Sequence, residues 1–422
     1  MRKIFHIVVF LIFFPTIGFA QDNLDISGYY KNFSVIFNPH EYNSAPDHLP
    51  GYLDQHVQGM VTNRLRITAE YQISDNIRWH GSYNFVPRVQ DSSFFKQSGF
   101  AIPSVDKGRY RAYDINRKVY PYNRQSGSVG IYQNLDRAFV SLALPNADVY
   151  IGRQPIAWGS ARVINPTDII APFTYDELDT EERTGVDAIR VRIPLGFMGE
   201  FDFGYVAGKK FVFDRSAVFA RTKFYAMETD VSLLLLKFQE HLMAGADFAR
   251  SLGDAGFWLE AAYVLNKPFE DFTLQNVDNY FRGSVGLDYS FSGETYGFIE
   301  YHYNDAGVKD NKDYSGILLN PPAAYEDGAV YLLGKSYLAP GISYQYTPLV
   351  TLAGQALYNT ADRSMFLSPS LEYNIAQNVY FDLGAFFGIG KRAVISEALQ
   401  PVLRSEFGTY PDIYYASFRL YF

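Results

Sequence analysis

The chain has no cysteine, only three tryptophans and seven histidines, and no long apolar run beyond its first twenty residues. Each absence closes a class. Without Cys there is no disulfide, no zinc–thiolate centre and no thiol nucleophile. The histidines (6, 40, 48, 56, 80, 241 and 302) are scattered, and none falls within 152–184. No Gly-x-Ser-x-Gly elbow is present to present a serine nucleophile. DAGVKDNKDYSG (305–316) is oxygen-rich but lacks the spacing of a calcium loop. We therefore expect no metal, no cofactor and no catalysis. A formal charge of −8 argues against a nucleic-acid partner.

The one apolar run is IFHIVVFLIFF (4–14), after Arg2 and Lys3 and before Gly18 and Ala20. It is too short to span a bilayer but suits a secretory signal cut before Gln21. Residues 1–20 are read as a cleaved signal and 21–422 as one domain. Losing Arg2 and Lys3 takes the formal charge from −8 to −10.

What the chain has in excess is Tyr and Phe, 34 and 35 residues, within 48% apolar content. Without an apolar helix, such a chain enters a membrane only as a closed barrel, which satisfies every backbone polar group in lipid. The periodicity fits. VTNRLRITAEYQIS (61–74) sets Val61, Leu65, Ile67, Ala69, Tyr71 and Ile73 against Thr62, Arg64, Arg66, Thr68, Glu70 and Gln72. That is a period of two. IRWHGSYNF (77–85), FRGSVGLDYSF (281–291) and TYGFIEYHYN (295–304) repeat it. The segments run about 9–13 residues, the length of a tilted bilayer crossing rather than of a soluble strand.

Connector lengths alternate as well. Tight turns such as SDN, PNAD, SGE and TPL follow every second strand, and mostly long segments follow the others (38–60, 88–130, 155–184, 266–278, 305–335, 389–411). The expected fold is an all-β transmembrane antiparallel barrel of about 18 strands, with 16 also compatible with the pattern in 217–250. It would have short periplasmic turns and long extracellular loops, in the Gram-negative outer membrane. The exterior aromatics then belong to the lipid belt. The loop tyrosines Tyr110, Tyr113, Tyr120 and Tyr122 are separate from it.

The lumen-facing positions divide by charge. Arg64, Arg66, Arg78, Arg137, Arg190, Arg192, Arg221 and Lys223 lie in the first half, with Glu70 and Asp202. Asp247, Glu260, Asp288, Glu300, Glu372 and Asp382 lie in the second, with Arg282 and Arg419. The expectation is a basic wall facing an acidic wall across a water-filled pore; the alternative is mutually paired, solvated side chains. His302 beside Glu300 reads as a polar lumen residue rather than half of a dyad.

A barrel this wide needs a segment to narrow it. GRQPIAWGSARVINPTD (152–168) breaks the alternation. Pro155 ends strand pairing. Gly159 permits close approach. Asn165-Pro166 and Ala171-Pro172 keep the chain from a helix. Six acids (Asp168, Asp176, Glu177, Asp179, Glu181 and Glu182) against Arg162 and Arg183 leave 155–184 at −4. We expect this acidic segment to fold inward against the basic wall. Pro155 and Gly159 would aim it and Trp158 anchor it. Arg162, Asp168, Asp176 and Glu177 would lie at the constriction.

Two resemblances rest on these residues. The last strand, ending Phe418, Leu420 and Phe422, resembles the C-terminal signal of Gram-negative outer-membrane proteins, which implies the barrel-assembly machinery as a partner. GRQPIAWGSARVINPTDIIAPF with EERTGVDAIRVRIPLG (181–196), about 45 residues, resembles an element of alginate-export-type porins and their relatives. The third long segment is also the one that constricts general porins. Together these imply a diffusion channel for small hydrophilic solutes or oligosaccharides. The alternative is a non-conducting barrel that binds or exports surface polysaccharide. An outer-membrane enzyme ranks third.

Overall fold

The computed structural model describes residues 23–40, 56–92, 108–120, 128–268, 279–326, 328–395 and 401–422. The proposed signal, residues 1–20, and Tyr122 lie outside them. Among the described residues the chain forms eighteen long antiparallel strands, each bonded to its neighbours in sequence. They begin with β1 (Leu24–Asn38), β2 (Gln58–Ser74), β3 (Ile77–Gln90), β4 (Val129–Leu144), β5 (Ala147–Gln154) and β6 (Val186–Leu195). β7 (Gly199–Val206), β8 (Ala217–Ala226), β9 (Thr229–Phe238), β10 (His241–Leu252), β11 (Ala255–Leu265) and β12 (Tyr280–Ser290) come next. β13 (Thr295–Asn304), β14 (Ser336–Thr347), β15 (Val350–Asn359), β16 (Met365–Ala376), β17 (Val379–Ile389) and β18 (Asp412–Tyr421) complete the circuit.

The last strand closes on the first, from Tyr29 opposite Tyr421 to Asn38 opposite Asp412. Phe422 exchanges both backbone hydrogen bonds with Gly28 at the seam. No sheet edge is left there, which is what lipid demands. The usual arrangement of a folded protein is inverted. Ile67, Tyr71, Trp79, Tyr83 and Phe85 are exposed on the outer face, while Lys31, Arg66, Glu260, Glu300 and His302 are buried inside. No helix among the described residues is long and apolar enough to cross a membrane.

The count of eighteen resolves the region 217–250. β8 and β9 meet at Met227–Glu228, and β9 and β10 at Gln239–Glu240. Both turns are tight, so the alternation of connector length fails there. Met227, Glu228 and Gln239 hold positive φ without glycine. The Asn-Gly signal that usually marks such hairpins is therefore missing.

One departure from alternation carries weight. Between Ser82–Arg137 and Tyr83–Leu135 the β3–β4 register shifts, leaving Asp136 as the extra residue of a bulge. A bulge re-aims side chains. Here it puts the adjacent Asp136 and Arg137 into the same buried ion pair, at 2.6 Å.

At the long-loop end the loops pack on each other and on the strand ends. The helix Tyr314–Leu319, not anticipated from the sequence, adds Tyr314 and Ile317 to an apolar cluster with Tyr110, Ile156 and Trp158.

Candidate functional site

The site is the segment 155–185 and the inner wall it touches. Strand β5 stops at Gln154, one residue before Pro155, which has no N–H to donate to a ladder. Trp158 is buried with its ring 4.8 Å from that of Phe219 on β8. Gly159 has φ +100°, and a Cβ there would sit 2.6 Å from the Glu260 carboxylate. Only glycine fits both the dihedral and the gap.

The first half of the segment lies along the wall of β10 to β13. Glu260 accepts the backbone N–H groups of Ser160, Ala161 and Thr167 at 3.1, 3.0 and 2.7 Å, and the Thr167 hydroxyl at 2.7 Å. Glu300 accepts those of Arg162, Val163 and Ile164 at 2.7, 3.3 and 3.0 Å, and the Trp258 indole at 3.0 Å. Ser160 donates its hydroxyl to Asp247. Arg162 pairs with Asp288 at 2.8 Å and lies over the Trp258 ring. Irregular backbone inside a barrel needs such acceptors for its N–H groups. Two wall carboxylates supply six of them.

The acidic half reaches the opposite side. Asp179 meets Lys31 at 3.0 Å and Arg64 at 2.7 Å. Burial works against its charge, but Lys31 and Arg64 outweigh it and hold the carboxyl below the ordinary range. Glu181 meets Lys31 at 2.5 Å and takes the Tyr421 hydroxyl at 2.6 Å. Glu182 meets Arg66 at 3.4 Å and Arg137 at 3.2 Å. Asp136 sits between those arginines and accepts the Gly185 N–H at 3.1 Å. Arg153, from the Gly-Arg-Gln that ends β5, binds Asp187 at 2.7 Å and Asp114 at 3.0 Å, tying a second loop to the segment's root.

Several expectations need correction. Glu260 and Glu300 do not face open water: both are fully buried under the segment and act as its backbone clamps. Asp168 does not line an opening. It is buried 2.5 Å from Arg183, inside the segment. Burial pushes its carboxyl up to about 6, with Arg183 only partly offsetting this. The basic residues are not a bare wall either. Arg190 pairs with Asp202 at 2.7 Å, Arg192 pairs with Glu200, and Arg78 lies 3.9 Å from Glu70. Glu372 and Asp382 share Arg419. Asp176 accepts the Tyr410 hydroxyl at 3.1 Å. His302 is buried against Ser284 at 2.8 Å, while Glu300 is taken up by the segment.

Sequence reasoning missed Lys31 and Asp136, and it gave Arg153 and Thr167 no partner across the lumen. Asp136-Arg137, two adjacent charges in an alternating strand, was a signal for Asp136. Lys31 carried none.

Beneath the segment, toward the short turns, lies a cavity of about 1360 Å³. Arg162, Glu177, Asp288 and Tyr296 are on its wall. Among the described residues no cluster of three metal-binding side chains occurs.

These features define a class: a closed, eighteen-strand barrel of the outer-membrane type with a segment folded across its lumen. No family model and no curated protein matches the chain. Solved structures do. OccK8 (OprE) of Pseudomonas aeruginosa superimposes with a TM-score of 0.57 over 95% of this chain and 98% of that one, at 8% identity. A BenF-like porin from Pseudomonas fluorescens Pf-5 gives 0.54 over 96% and 99%, at 10% identity. Acinetobacter baumannii OccAB1 gives 0.54 over 96% and 98%, at 9% identity. At such identities the likeness is one of fold.

Proposed function

We propose that this protein is an outer-membrane channel for small hydrophilic solutes, narrowed by the segment 155–184. The observation that carries this is the fastening of that segment to both walls. Six backbone N–H groups are held by Glu260 and Glu300 on one side. Asp179 and Glu182 are paired with Lys31, Arg64, Arg66 and Arg137 on the other. A barrel that served only as an anchor would not need an ordered partition across its lumen. The cavity below the partition, about 1360 Å³, is large enough for a small hydrated solute. Ser284 and His302 lie 2.8 Å apart on that wall, but both are buried beneath the segment and the Ser284 hydroxyl is donated to the Ile164 carbonyl, so we read the protein as non-catalytic. Insertion would use the last strand, ending in Phe422. The porin-type likeness supports the reading at the level of fold, and the resemblance of 152–196 to alginate-export-type porins points the same way.

The test is liposome swelling with sugars of graded size, using the purified full-length protein. The expected result is entry with a sharp size limit. Absence of entry at every size would instead favour the non-conducting, polysaccharide-binding barrel.

A further inference from the structure

The lumen is not uniformly charged. The segment and its ion pairs occupy β1 to β13. The inner face of β14 to β17, bordering the cavity, is different. Residues directly opposite across antiparallel strands share a face. One row therefore runs Phe298, Gly341, Gln355, Ser368. The next runs Tyr296, Ser343, Ala353, Ser370, Gly384, Tyr415. Neither row carries a charge at neutral pH; the next row toward the short turns does, where Glu372 and Asp382 both meet Arg419. Phe298, Ser343, Gln355, Ser368, Ser370 and Tyr415 border the cavity.

Two of the aromatics in these rows, Phe298 and Tyr415, lie across the strands. The Phe298 ring occupies the place a Cβ of Gly341 would take, and the Tyr415 ring that of Gly384. An aromatic laid over a cross-strand glycine shields the bare backbone. It also turns one ring face along the wall rather than its edge into the lumen. Both rings remain partly exposed. Several of the charges that border the cavity are neutralised locally: Arg162 by Asp288, Arg183 by Asp168, Arg250 with Glu228, and Asp230 with Lys223.

We propose that, on the short-turn side of the segment, the solute path runs off-centre along β14 to β17 and that it binds uncharged, polyhydroxylated solutes of sugar type, a proposal that rests on the channel reading and deepens it. The negative face of an aromatic ring attracts the weakly positive C–H face of a sugar ring. Ser343, Gln355, Ser368 and Ser370 offer hydroxyl and amide partners between the two rings. An ion would gain nothing from these two rows, since they carry no charge of their own.

The experiment uses the full-length protein in liposomes and planar bilayers, with glucose, gluconate and glucosamine as probes of nearly equal size. Glucose should enter several-fold faster than either charged analogue, and maltose should block the ion current saturably. Phe298→Leu keeps bulk over Gly341 but removes the ring face. It should raise the half-blocking maltose concentration about tenfold, whereas Tyr415→Phe, which keeps a ring, should leave it near the parent value. Heat-modifiable mobility on gels confirms a folded barrel in each variant. Equal entry of glucose and its charged analogues, or a maltose block unmoved by Phe298→Leu, overturns the neutral path while leaving the channel reading intact. Absence of entry by any probe overturns the channel reading itself.

Discussion

Replacing Glu260 by alanine should release the segment that crosses the lumen. Glu260 is fully buried and accepts three backbone N–H groups and one hydroxyl, all from residues 160–167. Hydrogen bonds to a charged acceptor contribute about 1.5–3 kcal/mol each, and a buried donor left unmet costs about 1–3 kcal/mol. Three stranded N–H groups alone come to about 3–9 kcal/mol, before any gain from water entering the gap. Each 1.4 kcal/mol is tenfold in an equilibrium constant. The undocked population should therefore rise at least a hundredfold. Two measurements report it. Single-channel conductance should increase, and trypsin should cut at Arg162 or Arg183 in a barrel whose gel mobility remains that of the folded form. Glu260→Gln retains a carbonyl acceptor and should fall between the two. Glu300 holds three further N–H groups, so Glu260→Ala with Glu300→Ala should show the full effect. If even the double variant conducts and resists trypsin like the parent, the segment does not narrow the lumen and the clamp argument is wrong.

Gly159→Ala should act in the same direction, because it combines φ +100° with a Cβ 2.6 Å from the Glu260 carboxylate; a conductance equal to the parent's would count against the tight fit. Reversal of Arg64 and Arg66 to Glu should loosen Asp179 and Glu182 as well as change ion selectivity, so conductance and selectivity should move together. A selectivity change at constant conductance would show that the pairs do not hold the segment. The pH dependence has a definite sign. Asp168 is raised from 3.8 to about 6 in the folded chain, so its contribution is fully present below pH 3.8 and is lost as pH rises through about 6. That amounts to up to about 3 kcal/mol of docking stability. Asp168→Asn should flatten the pH dependence of tryptic cleavage between about pH 4 and 6. A second group behaves alike at the long-loop end. Glu406 is pushed up to about 7 by burial, although the Tyr337 hydroxyl at 2.6 Å and the Leu333 N–H at 2.8 Å favour its charged form. Protection of the amides in 401–411, taken relative to intrinsic exchange at each pH, should fall as pH rises from about 4.5 through 7, and Glu406→Gln should abolish that fall.

The barrel was legible because lipid imposes a local rule. A strand with one face on lipid and the other on the lumen must alternate at every residue, as 61–74 and 295–304 do. Most strand limits followed from that alternation together with proline and turn residues. Legibility failed where a local rule was broken for a non-local reason. The β3–β4 bulge at Asp136 depends on a partner strand more than 50 residues away. The two glycine-free turns of 226–241 owe their positive φ to strand pairing. The helix Tyr314–Leu319 forms with Tyr314 and Ile317 packed in a cluster drawn from other loops.

By itself, the sequence determined the class of fold, the place where pairing breaks, and the sign of the charge on 155–184. Composition, period and backbone preference are properties of neighbouring residues, and they read out directly. Only the tertiary structure decided what each charge faces. Glu260 and Glu300 sit 93 or more residues from the N–H groups they clamp. The acids of the segment meet basic residues from β1, β2 and β4. Whether a lumen carboxylate lines a pore or fastens a loop depends on which backbone arrives opposite it, and only closure of the barrel brings those partners together.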